Sequence, residues 1–235
     1  MSGPLHEILR PSFKFAYYLL MVLQLYASLI ESMLGRTGDT RSLRGAHQPL
    51  LLYSRLQGME AAEYVDVQIL DAIEKLDGSI WSSLILQMAG ELFDRPMWID
   101  KAALGFKQLI AQQQPSGEFL LPDANVHPET RWYDELVTLH ATASYAVRVP
   151  GAAIQSAVER SARYHLNEIQ PDHATTEPWG LLAFIQYAPS LADQMLHAMS
   201  MQYPQGITGI PLLLLADVQY GLRRLMDENG NLKHD

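Results

Sequence analysis

Cysteine is absent from the 235 residues, which excludes a disulfide scaffold, a thiol nucleophile and a cysteine-ligated zinc site. Charge is scarce as well: Asp, Glu, Lys and Arg make up 18% of the chain, against about 25% in an average globular protein. Basic residues are the scarcer kind, 17 against 26 acidic ones. The net charge of −9 speaks against a phosphate-backbone partner, so no nucleic acid is expected. There is no Gly-x-Gly-x-x-Gly, no phosphate loop and no Gly-x-Ser-x-Gly elbow, so no cofactor is expected. His127, His140, His165, His173 and His197 lack the His-x-x-x-His spacing of helical zinc sites, and no metal is expected either. The most apolar stretch, residues 15–30, holds sixteen uncharged residues with Gln24 in its middle. As a helix it would extend about 24 Å, short of the roughly 30 Å of a bilayer core.

What is present is apolar and periodic. Hydrophobic residues make up 48% of the chain, enough to bury one core, and residues 1–235 read as a single helical domain. No run alternates with period two, so the fold class is all-α. Helices are expected over 59–76, from a Ser79 cap up to Arg95-Pro96, and over 98–113, 131–148, 151–169, 177–187, 190–202 and 210–226. Glycine and proline mark the breaks, and 114–130 reads as loop. Residues 1–60 carry six basic and four acidic side chains, whereas the remainder carries eleven and twenty-two. The less acidic part contains the apolar segment 13–34, a helix packed on the domain or appended to it. It is expected to be buried on more than one side, in the core or at a subunit contact. The alternative is a peripheral membrane contact helped by Arg36, Arg41 and Arg44. The expected compartment is the cytoplasm, with membrane association through this segment as the added option.

Trp81, Trp132 and Trp179 recur at separations of 51 and 47 residues. Each is preceded by an amphipathic helix and a polar loop, and each falls near an expected helix start. Repeated helix pairs of this period predict stacked helical hairpins. Every second helix would then begin at the same end of the molecule, with its preceding loop on one surface.

The stretch LGFKQLIAQQQPSGEFLLPDA and the helix after it resemble the repeat of the α/α-toroid superfamily, which includes terpenoid cyclases and protein prenyltransferase β subunits. The corresponding residues are Leu109-Ile110, Gln113-Gln114, Gly117-Glu118-Phe119 and the run ELVTLHATASYAV. The clear match covers about 50 residues. The resemblance implies an (α/α) toroid, or an incomplete one given the length, with a cavity at the inner-helix N-termini. The chain lacks the Asp-x-Asp-Asp motif of the cyclases and the zinc-binding cysteine of the prenyltransferases. Similar toroids also carry polysaccharide lyases and glycoside hydrolases, so the fold leaves the reaction open.

Two polar clusters lie where a loop meets a helix start. The first is Asn125, His127, Arg131, Trp132, Tyr133 and Asp134, with His140 further along; the second is His173, Glu177 and Trp179. A helix start favours an anionic group, and a tryptophan face suits a sugar or an isoprenoid. In a lyase, Arg131 or Asn125 would hold a carboxylate while His127, His173 or Tyr133 moved the proton. In a glycoside hydrolase, Asp134 and Glu177 would act as the carboxylate pair. Ordinary capping, with Thr130 at the head of the helix and Glu135 complementing its dipole, explains the same residues without a ligand. Two function classes follow. One is an enzyme or binding protein for an anionic glycan or isoprenoid-like small molecule. The other is a non-catalytic scaffold that pairs through 13–34 with a second copy, another partner or a membrane.

Overall fold

The computed structural model describes residues 24–30, 67–76, 78–121, 123, 125–168, 177–204, 207 and 209–226. Every regular element among them is helical: α1 (residues 24–30), α2 (Val67–Glu74), α3 (Ile80–Leu92), α4 (Pro96–Gln112), α5 (Pro128–Arg148), α6 (Ala152–Asn167), α7 (Leu181–Tyr187), α8 (Pro189–Gln202) and α9 (Ile210–Leu225). The expected all-α class is the observed one.

Local chemistry sets the boundaries. Ser79 caps α3 as expected, its hydroxyl accepting from the Ser82 N–H at 3.2 Å. Proline opens α4, α5 and α8, where its missing N–H costs nothing and its fixed φ suits the first turn. The start of α5 lies three residues before the expected 131. Pro128 begins the helix, and His127 Nδ1 accepts from the Glu129 N–H at 3.3 Å. Thr130 is therefore inside the helix and exposed, and does not cap it. Conversely α7 starts late: residues 177–180 form a turn in which Gly180 takes a left-handed φ of 73°, and the helix begins only at Leu181.

Burial alternates along the chain. In α3 every residue from Trp81 to Gly90 is buried, and α5, α7 and α9 are buried along most of their length. The helices between them bury single stripes: Ala102 and Phe106 in α4; Ile154, Ala157, Val158, Ser161, Ala162 and His165 in α6; Leu191, Ala192, Leu196 and Met199 in α8. Helices buried all round form the centre, and one-stripe helices cover them. α5 is the hub, packing against α3, α6, α7 and α9. α3 and α4 approach closely at Gly90, where a Cβ would lie 2.6 Å from Ile99 Cγ1.

Of the stretch that carries the toroid resemblance, residues 104–112 complete α4 and residues 113–121 form a strap between helices. Gln113, just past α4, donates through Nε2 to the Gly117 and Ala157 carbonyls, each at 2.9 Å, and its Oε1 accepts from Arg160. Gly117 has φ 110°, and a Cβ there would lie 2.5 Å from the Arg160 carbonyl oxygen. Only glycine fits both constraints. Phe119 is buried, and its N–H and that of Leu120 donate to the Glu135 carboxylate at 2.9 and 2.7 Å. Glu135, expected to complement a helix dipole, is instead a buried acceptor holding the strap onto α5.

Of the apolar segment 13–34, residues 24–30 are described. Tyr26 and Ile30 are buried, and the Tyr26 hydroxyl donates to Asp193 on α8 at 2.7 Å. Leu25 and Leu29, one turn apart, remain 69% and 44% exposed. Within the chain, residues 24–30 bury one side; the rest of the segment lies outside the described residues. No helix among the described residues is long and apolar enough to cross a membrane.

Candidate functional site

The central helices meet in a cluster of rings and buried acid–base groups. Trp81 on α3 stacks over His140 on α5, with ring centres 6.0 Å apart and planes 26° from parallel. Trp179, in the turn before α7, presents an edge-to-face contact to both, at 5.8 Å from Trp81 and 5.6 Å from His140. Tyr133 meets Trp179 in the same way at 5.7 Å. Such perpendicular pairs are the favoured arrangement of aromatic quadrupoles.

Two carboxylates bracket the rings. At the outer end Glu177 accepts from Trp179 Nε1 at 2.8 Å, with the Tyr133 hydroxyl at 3.5 Å. Burial, then the Glu177 charge, pushes the Tyr133 pKa up to about 12, so this phenol stays protonated. At the inner end Asp217 on α9 accepts from the Ser144 hydroxyl, and His140 Nε2 lies 3.2 Å from its Oδ2. His140 is fully buried and Asp217 is 2% exposed. Among the described residues neither imidazole nitrogen makes an aligned hydrogen bond. His140 and Ser144 sit one turn apart on α5, which presents both to the same point on α9.

Four of the expected site residues therefore converge: Tyr133, His140, Glu177 and Trp179. Trp132 does not join them; it packs against α6, its ring 4.6 Å from His165 and 6.1 Å from Tyr164. Arg131 is paired with Glu118 in the strap, so its charge is already matched. His127 is an exposed cap, and exposed Asn125 bonds to Asp123 at 2.8 and 2.9 Å. Asp134 is exposed, its pKa raised by partial burial. His173 lies outside the described residues. Sequence reasoning missed Ser144 and Asp217, and it placed Trp81 in the repeat but not in the site. An aspartate following the apolar run IPLLLLA is the available signal for Asp217, because a charge at such a position needs a partner.

Among the described residues no three His, Asp or Glu side chains gather as a metal-holding group. A small pocket at the opposite ends of the central helices, bordered by Ala143, Val147, Gln155, Gln186 and Tyr187, has no charged side chain in its lining. Comparison of the chain with family models, characterised proteins and solved structures finds no match.

Proposed function

We propose that the chain is a toroid-like helical protein that binds a flat or isoprenoid-like apolar molecule against the ring cluster. The observation that carries this reading is the convergence of Trp81, Tyr133, His140 and Trp179 from three segments far apart in sequence. The alternation of mostly buried and one-stripe helices supports the toroid arrangement. An anionic glycan is the less favoured ligand. Arg131 is matched by Glu118, and the acidic groups Glu129, Asp134 and Glu177 stand around the same helix starts and would repel a second negative charge. Any proton transfer to a bound ligand falls to His140 and Asp217, the acid–base pair beside the rings. The test is tryptophan fluorescence and thermal shift with a fifteen-carbon prenyl alcohol, its diphosphate and an oligouronate. The reading expects quenching and stabilisation by the alcohol and none by the oligouronate. Silence with both prenyl compounds would discard it.

The scaffold reading keeps one observation in its favour, the exposed Leu25 and Leu29 on α1. It predicts that the wild type self-associates and that Leu25→Asp with Leu29→Asp yields monomers. A wild type that is already monomeric at high concentration, and that does not bind vesicles, would remove it.

A further inference from the structure

A second buried polar group lies between α5 and α6, away from the ring cluster's acid–base pair. Trp132, Ser161 and His165 are 8%, 0% and 1% exposed. Among the described residues, the Trp132 indole N–H, the Ser161 hydroxyl and both His165 ring nitrogens have no hydrogen-bond partner. The Trp132 and His165 rings are 4.6 Å apart and perpendicular. Ser161 stands one helical turn before His165 and so faces the same way. A serine in a helix ordinarily back-bonds to the carbonyl four residues earlier. Here that carbonyl, of Ala157, accepts from Gln113 instead. The Tyr164 and Phe184 rings flank the group, their centres 5.2 and 6.0 Å from His165 in perpendicular contacts.

Buried polar groups in folded proteins are almost always paired, and several bare ones in one place call for a common partner. The hydrogen-bond inventory restricts what that partner is. Trp132 only donates, Ser161 donates and accepts, and a neutral imidazole offers one donor and one acceptor. Burial pushes the His165 pKa down to about 3, so the ring is neutral and the group carries no charge to hold an ion. A partner that satisfies all three must be small, neutral, and both donor and acceptor. We propose that Trp132, Ser161 and His165 form a binding site for one internal water molecule, which bridges α5 to α6. It accepts from the Trp132 N–H, exchanges hydrogen bonds with one His165 nitrogen, and reaches the Ser161 hydroxyl. The site is independent of the proposed apolar ligand.

The experiment is water-selected cross-relaxation in uniformly nitrogen-15-labelled full-length protein, read at the Trp132 indole N–H and the His165 ring N–H, with Trp132→Phe to assign the indole. Both protons are expected to show cross peaks to a long-lived water, with the sign of slow tumbling. His165→Leu should abolish the Trp132 cross peak, and Ser161→Ala, the milder change, should weaken the one at His165. Protected N–H protons without a water cross peak would overturn the proposal, because the groups would then be dry. Rapid exchange of both protons with bulk solvent would overturn it too, because the site would then be open. Should His165→Leu fail to fold, the wild-type spectrum and Ser161→Ala decide between these outcomes.

Discussion

Two buried carboxylates, Glu135 and Asp217, sit in neighbouring helices at 1% and 2% exposure, yet their surroundings differ in kind. Glu135 accepts from two main-chain N–H groups of the strap. Its hydrogen-bond partners are backbone, and its task is to hold a loop. Asp217 faces a hydroxyl and an imidazole from one helix, and that imidazole lies under one tryptophan and against another. Burial alone therefore does not mark a functional acid. Backbone partners mark a structural one, and side-chain partners able to exchange protons mark the better candidate.

Removing the structural acid has the largest expected effect. Glu135→Ala strands two N–H donors at once and should cost about 2–5 kcal/mol of stability, read as the shift in a urea unfolding midpoint. Gly117→Ala attacks the same strap through the main chain. It combines a positive φ with a clash against the Arg160 carbonyl and should cost roughly 1–3 kcal/mol.

Titration separates the buried groups further. Burial raises the Glu135 pKa from 4.5 to about 7, so the folded state holds that proton more tightly than the unfolded chain. The associated stability is complete below pH 4.5 and is lost as pH rises through about 7. His165 runs the other way. Its pKa falls from 6.5 to about 3, and its contribution is present above pH 6.5 and is lost as pH falls toward 3. Between pH 4.5 and 6.5 the two slopes oppose each other. Unfolding midpoints across that range should therefore vary little in the wild type, rise with pH in Glu135→Gln, and fall with pH in His165→Leu. Parallel profiles in all three proteins would refute the assignment.

The smallest effects concern the head of α5. His127→Ala should cost about 0.5–1 kcal/mol through loss of the cap, whereas Thr130→Ala, at an exposed position inside the helix, should stay within about 0.5 kcal/mol of the wild type. Differential calorimetry on the pair distinguishes the observed cap from the one expected at Thr130.

Legibility in the sequence follows the range of the interaction. Proline, glycine and Ser79 act locally, and the described helix ends they set lie within a few residues of where pattern reading puts them; the expected helix start at 59 lies outside the described residues. The recurrence of Trp81, Trp132 and Trp179 was visible, but the direction of each ring was not. Trp81 is the second residue of α3, Trp132 the fifth of α5, and Trp179 lies two residues before α7. At about 100° of rotation per residue, such offsets turn one ring away from the other two. The role of Glu135 is hidden in the sequence because a carboxylate in an early helical turn has a sufficient local explanation. Asp217 and Ser144 are 73 residues apart, and no spacing rule connects them.

The central claim is that the ring cluster with Asp217 is the ligand site and that the Glu135 strap is framework. Its most direct test is a tryptophan-quenching titration with the fifteen-carbon prenyl alcohol on wild type, Asp217→Asn and Glu135→Gln, each first shown by circular dichroism to retain its helix. The wild type is expected to bind, Asp217→Asn to bind at least about tenfold more weakly, a loss of about 1.4 kcal/mol, and Glu135→Gln to bind with unchanged affinity. Equal affinity in Asp217→Asn and the wild type, or a loss confined to Glu135→Gln, would contradict it.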